Sequence, residues 1–310
     1  MANKASLREA YGQELLELAR KDQQIVALDA DLSKSTMSCY LAEEFPDRFF
    51  EMGIAEQNMV SVAAGLALVG KIPFVNSFAV FAAGRPYDQI RQGIALPNLN
   101  VKIIGSSCGL SDYGDGATHQ AVEDIAIMRS IPNMTVISPV DANETKKVIR
   151  AVLTYQGPVY IRLHRDELPV ITDEAGEFTI GKIERLRTGK DIAIFANGIM
   201  VSMALAAAEK LAELGITVKV LNVPTIKPLD AEGVIKEVRD CRGVVTAEEH
   251  SIIGGLGSAI SVALNKTPVP LERVGVNDSF GQSSESYQKL LAAYGLTIEA
   301  IVKASKGLLS

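Results

Sequence analysis

The chain has 310 residues, 47% of them hydrophobic, with a formal net charge of −6, which gives room for two domains with substantial cores. The mildly acidic balance excludes a basic footprint for nucleic acid and a polybasic segment for anionic membranes. Three scattered cysteines (Cys39, Cys108, Cys241) form no C-x-x-C pair, which excludes a zinc ribbon or thioredoxin motif and suits a reducing cytoplasm.

The N-terminal MANKASLREAYGQ has no apolar signal core, and no apolar run reaches membrane-spanning length. The expectation is a soluble, cytoplasmic protein. A helical pattern over 6–20 leads into a strand at 24–30. The apolar stretch 55–68 reads as a mostly buried helix, followed by a strand at 72–78 and a helix at 84–95. Strands at 101–107, 134–140 and 158–163 alternate with helices at 120–130 and 142–155. In the last helix Val148, Ile149, Val152 and Leu153 fall on one face.

Polar residues 166–189, acidic at Asp173, Glu174 and Glu177, read as a crossover. A second alternating pattern follows. It has strands at 191–198, 217–223, 243–249 and 271–277, and helices at 201–214, 231–239, 255–265, 284–294 and 297–307. Strand-length apolar runs alternating with helices predict an α/β fold of two parallel-sheet domains. The boundaries are drawn at 1–170, a linker at 171–189, and a smaller domain at 190–310.

Glu56 is the most informative residue. It opens the apolar helix, and burying an unpartnered carboxylate costs several kcal/mol. On its own it also reads as a first-turn glutamate facing the helix dipole. Downstream lie Phe78, Phe81 and the polar loop SDYGDGATHQ (111–120). A glutamate, flat apolar walls and a His/Asp loop suit an aromatic nitrogen heterocycle and a hydroxylated substrate. Other short motifs carry less. GDG at 114–116 lacks the downstream asparagine of a magnesium site, and no metal site is expected on this chain. GGLG at 254–257 opens a helix and reads as a packing or turn device rather than a phosphate loop. EEH at 248–250 puts neighbours on opposite faces of a strand, a poor metal arrangement.

Several segments together resemble one family. REAYGQELLELA (8–19), ALDADLSKS (27–35), GIAEQNMVSVAAGLAL (53–68), SFAVF (77–81), YDQIR (87–91), DGATHQAVEDIAIMRSIPN (115–133) and HRDELP (164–169) are similar to the C-terminal half of transketolases. So are VLNVPTIKPLD (220–230) and TAEEHSIIGGLGSA (246–259). The resemblance runs in order along nearly the whole chain. It implies a thiamine-diphosphate pyrimidine-binding domain followed by a transketolase C-terminal domain, as one subunit of a split transketolase. The diphosphate and its Mg²⁺ or Ca²⁺ would belong to a separate N-terminal subunit, in a heterotetramer. The reaction implied moves a two-carbon ketol unit from a ketose phosphate to an aldose phosphate. A 2-oxoacid dehydrogenase β subunit and a non-catalytic subunit of the same fold are the alternatives.

By this resemblance Glu56 bonds the aminopyrimidine N1′ and promotes loss of the C2 proton, and Phe78 and Phe81 pack on the pyrimidine. Asp115 and His119 hydrogen-bond the donor sugar, with His119 also shuttling protons. Arg8, Ser35 and Arg165 fall where the family binds substrate phosphate, for which arginine geometry is suited. Asp31 aligns near the cofactor, though it also reads as a turn residue. Without the resemblance, Phe78 and Phe81 read as core residues, His119 as a surface loop histidine, and the arginines as surface charges. Two departures bear on the substrate. Ser107 stands where members commonly carry a substrate-binding histidine, and the loop reads Tyr113-Gly114-Asp115-Gly116 where members often have a Gly-Glu-Asp-Gly core. A third, Gly84 in place of a third aromatic, removes one wall of the pyrimidine site.

Overall fold

Strands buried along their whole length must be covered on both faces, and the computed structural model, which describes residues 3–309, is built that way. Residues 1, 2 and 310, which the sequence reading placed in its domains, lie outside the described residues. The first sheet has seven strands, in the order Thr225–Lys227, Thr135–Ile137, Val159–Arg162, Lys102–Ser106, Ile72–Phe78, Ile25–Asp29 and Phe49–Glu51. All pairs are parallel except the first, where Thr225–Lys227 runs antiparallel to Thr135–Ile137. One face packs against Met59, Val60 and Ala63 of the helix Glu56–Leu68. The other meets Leu7, Tyr11 and Leu15 of the helix Leu7–Ala19, with Val148, Ile149 and Val152 of the helix Ala142–Thr154.

The second sheet has five strands, ordered Leu271–Val276, Gly243–Ser251, Ile192–Ala196, Val218–Asn222 and Glu184–Arg187. It too is parallel apart from an antiparallel edge, Glu184–Arg187. The fold is therefore α/β with two mostly parallel sheets. Two features cross the sequence-based boundaries. Glu184–Arg187 lies within the stretch read as a linker. Thr225–Lys227, from the second half, completes the first sheet. A two-stranded ribbon, Lys4–Ala5 with Leu168–Pro169, closes the ends of the first unit together.

The expected helix over 84–95 is broken instead. A helix at Ala79–Gly84 precedes Tyr87–Gln89 and a π-helical turn at Ile90–Ala95. Pro86 has no N–H to continue the first segment's ladder. The expected helix at 120–130 begins only at Asp124, because Ala121 bridges back to Gly109.

The two sheets meet across buried polar groups. Arg162 donates Nε to Asp124 at 2.9 Å and Nη2 to the Glu249 carbonyl at 2.7 Å. Tyr160 donates its hydroxyl to the same aspartate at 2.8 Å. Glu249 accepts from the Leu110 backbone N–H at 2.7 Å, and His164 bonds the Tyr287 hydroxyl at 2.8 Å. Gly109 has φ +62°, and a Cβ there would lie 2.4 Å from the Glu249 carboxyl carbon. Only glycine lets the carboxylate approach this closely.

Burial pushes the Glu249 carboxyl up to about 7, against the pull of Arg162. A carboxyl raised in the fold contributes its full stability below the unfolded value and loses it as pH rises through the folded one. Glu249→Gln, which cannot ionise, is therefore expected to gain on the wild type between about pH 5 and pH 8, by about 2–3 kcal/mol. Urea unfolding of both proteins across that range measures the difference, and a pH-independent gap would refute it.

Candidate active site

Parallel α/β sheets place their ligand sites beyond the carboxyl ends of the strands. Phe78 ends the strand Ile72–Phe78, and Asp31 follows the strand Ile25–Asp29. Asp29 itself is buried and accepts from Leu32 N–H at 2.6 Å and from the hydroxyls of Thr36 and Ser38 at 2.7 and 2.8 Å. These bonds shape the turn that carries Asp31 and Ser35. Burial raises the Asp29 carboxyl to about 6. Asp31 adopts φ 63° and donates its N–H to Glu51 at 2.8 Å. Glu51 also accepts from Gly53 N–H at 3.0 Å, so one carboxylate ties this turn to the entry of the next helix.

That helix begins at Glu56, whose side chain is 4% exposed. Its Oε1 accepts from Arg85 Nη1 at 2.7 Å. The Arg85 guanidinium also lies over the Phe81 ring, 4.1 Å from its centroid. Phe78 and Phe81 are stacked, with centroids 6.1 Å apart and planes 15° apart. His119 meets Phe81 edge-on at 5.2 Å and Phe78 at 6.3 Å. Asp31, Glu56, Phe81, Arg85 and His119 line one cleft of about 330 Å³. Such a cleft offers a carboxylate acceptor beside a flat aromatic face. It suits a planar, nitrogen-rich ring with a donor edge, and the Arg85 guanidinium makes both kinds of contact.

A second cluster adjoins it. Arg8 donates Nη1 to the Ser35 carbonyl at 2.6 Å and Nη2 to the Arg165 carbonyl at 2.9 Å. Arg165 donates Nη1 to Asp112 at 3.0 Å, and its guanidinium carbon lies 5.8 Å from the Phe78 centroid. The three residues expected to bind phosphate are thus together. Burial, followed by the charge of Arg165, lowers the Arg8 pKa. Burial raises Asp112, with Arg165 pulling it down and Asp115 pushing it up. Ser107 stands apart. It is buried at φ 52° with its hydroxyl unpartnered, and it does not line the cleft.

Sequence reasoning missed three residues here. Asp112 supplies the counter-ion to Arg165. Arg85 is signalled only as a cation seven residues beyond Phe78. Gln120 links the domains, donating Nε2 to the Asp112 carbonyl at 3.2 Å and to the Gln282 carbonyl of the second domain at 3.0 Å. Ser284 N–H donates to the Tyr113 carbonyl at 2.8 Å beside it. The acidic and glycine motifs set aside in the sequence also find their place. Glu248 accepts from Leu256 and Gly257 N–H at 2.6 and 2.8 Å, so a carboxylate of this chain caps the GGLG helix start.

The loop carrying Asp112, Asp115 and His119 therefore rests on the second domain. Gln120→Ala is expected to speed amide exchange across residues 112–119 about fivefold to tenfold, for a loss of about 1 kcal/mol. The helix Leu7–Ala19 should stay unchanged as the internal reference. Equal exchange in both proteins would remove Gln120 from this role.

Residues 3–170 match the family described as transketolase, pyrimidine binding domain, and residues 181–301 match transketolase, C-terminal domain. A Methanocaldococcus jannaschii chain described as a transketolase C-terminal section is 49% identical over 301 residues, covering 96% of this chain and 94% of that one. The 6-deoxy-6-sulfo-D-fructose transketolase subunit of Clostridium sp. (strain MSTE9) is 48% identical over 300 residues, covering 96% of this chain and 93% of that one. A solved structure titled "Split gene transketolase, inactive beta4 tetramer" superposes with a TM-score of 0.90 at 48% identity, covering 98% of each chain.

Proposed function

The chain belongs to the transketolase family, and from that membership we propose that it is the coenzyme-activating subunit of a two-chain, thiamine diphosphate-dependent transketolase. The observation that carries this reading is the buried Glu56 carboxylate opening onto a cleft faced by Phe81 and His119. When bound, the coenzyme supplies the carbon nucleophile that takes a two-carbon ketol unit from a ketose and yields it to an aldose.

Each role then falls to a named side chain. Glu56 shares a proton with the coenzyme's ring nitrogen N1′, and the buried setting strengthens that bond. Phe81, backed by Phe78, fixes the plane of the ring. His119 is held edge-on to Phe81 and exchanges protons with a sugar hydroxyl, while Asp115 orients the neighbouring one. Asp31 forms part of the cofactor wall. Arg8 and Arg165, with Ser35 beside them, receive the anionic end of the donor. Ser107, without an imidazole, adds no charge to that end. One relative is named for a sulfonated ketose, so the donor class proposed is a ketose with a terminal phosphate or sulfonate.

The diphosphate and its Mg²⁺ or Ca²⁺ are assigned to a partner subunit, in an α₂β₂ assembly. Exposed apolar side chains support a partner face. Ile54, on the cleft wall, is 73% exposed, and Leu68, Val69 and Leu96 are exposed as well. The proposed division stays at 1–170 and 190–310 with a linker at 171–189, except that the strand Glu184–Arg187 joins the second sheet and Thr225–Lys227 the first. Among the described residues, no helix is long and apolar enough to cross a membrane. Cys39, Cys108 and Cys241 are free thiols, which suits the proposed cytoplasmic setting. The whole-length likeness to transketolase subunits disfavours the 2-oxoacid dehydrogenase alternative. The joint presence of Glu56, Asp115 and His119 disfavours a non-catalytic role.

In the complex reconstituted with its partner, Glu56→Gln is expected to slow hydrogen–deuterium exchange at the coenzyme's C2 by roughly a hundredfold or more, with the fold intact by circular dichroism. An unchanged exchange rate would refute the role of Glu56. Arg165→Ala is expected to raise KM for an anionic ketose roughly tenfold to a hundredfold, and that for an uncharged ketose much less. Equal effects on both donors would take Arg165 out of the anion site.

A further inference from the structure

Arg85 makes two contacts that belong, on the function proposed above, to something else. Its Nη1 donates to Glu56 Oε1 at 2.7 Å, and its guanidinium carbon lies 4.1 Å above the Phe81 ring. A planar cation thus lies flat on the aromatic face while its edge bonds the carboxylate. An aminopyrimidine activated by Glu56 has to make the same pair of contacts. Both cannot occupy that face at once.

We propose that Arg85 fills the pyrimidine seat of the lone chain and sets how readily the coenzyme enters, because it must swing out first. This rests on the reading of Glu56 and Phe81 as that seat. The chemistry explains why a residue would be held there. A buried carboxylate whose partner is missing is costly, and a hydrogen-bonded cation offsets much of that cost. Arg85 neutralises Glu56 while the seat is empty. The guanidinium mimics the ring in the respects that matter, being flat, delocalised and an edge donor. The imbalance in exposure shows which partner moves. The Arg85 side chain is 46% exposed and the Glu56 side chain 4%, so the arginine can rotate into water while the carboxylate stays fixed. Gly84 stands where many family members carry a third aromatic. Apart from its chain neighbours and its own helix backbone, no atom lies within 4 Å of the position its Cβ would take, so no packed side chain hems in that turn.

The test compares wild type, Arg85→Ala and Arg85→Lys. In the lone chain, Arg85→Ala is expected to lower Tm, and added methylguanidinium is expected to restore it by refilling the seat. The wild type should not respond to methylguanidinium. Arg85→Lys keeps a counter-ion without a flat face and should stay close to wild type in Tm. In the complex with the partner, calorimetric titration is expected to show thiamine diphosphate binding about tenfold tighter to Arg85→Ala. Equal or weaker coenzyme binding by Arg85→Ala, or no response of its Tm to methylguanidinium, would overturn the proposal. Failure of every complex, wild type included, to bind the coenzyme would instead overturn the reading of the seat, and this inference with it.

Discussion

A carboxylate buried at the first turn of a helix is the constraint on which this site depends. Glu56 is almost fully enclosed, yet its charge is met by a single guanidinium from outside its own helix. The helix starts at Glu56, and its N-cap residue, Ala55, makes no side-chain cap. The helix dipole favours a negative charge there, by about 0.3–1 kcal/mol in ordinary settings. That is too little to offset the several kcal/mol of burying an ion. The remainder has to come from a donor in the cleft. A site built on such a residue is under pressure to be filled, whether by a ligand or by a piece of the chain.

The second constraint is positional, and the second domain carries it. The loop around Asp112, Asp115 and His119 leaves the first sheet after the strand Lys102–Ser106. It is then clasped by Gln120 and by the backbone of Tyr113 against residues 282–284. Gly116 has φ +77°, and a Cβ there would come 2.4 Å from the Ser283 hydroxyl. Glycine is required at that crossing for both the backbone angle and the space. Below it, Arg162, Asp124 and Glu249 lock the two sheets together without water-exposed charge. The second domain is therefore part of the site's geometry, although in these contacts it reaches the loop mainly through backbone groups.

Much of this was legible in the sequence. Mostly apolar runs such as IVALD and IPFVNSF read as strands and are buried at every position. The apolar face of the helix Ala142–Thr154 was visible in the spacing of Val148, Ile149 and Val152, all buried, with Leu153 only partly so. The short strands Phe49–Glu51 and Thr225–Lys227 were not visible. Three-residue strands carry no period, and pairing with a distant neighbour decides them. The site divided the same way. Glu56, Phe81, His119 and Asp31 share a cleft, and Arg8, Ser35 and Arg165 share a cluster, all from short motifs far apart in the chain. Arg85, Asp112 and Gln120 escaped notice because their roles arise from partners 29, 53 and 162 residues away.

The arginine cluster shows how the two constraints interact. Arg8 spends both terminal nitrogens on backbone carbonyls of Ser35 and Arg165, and its Nε is buried without a partner. Arg165 is committed to Asp112, a carboxylate that burial pushes toward its neutral form. On the proposed function, an incoming phosphate or sulfonate would compete with Asp112 for Arg165. On that reading, anion binding depends on how the loop carrying Asp112 is held by the second domain as much as on the arginines themselves.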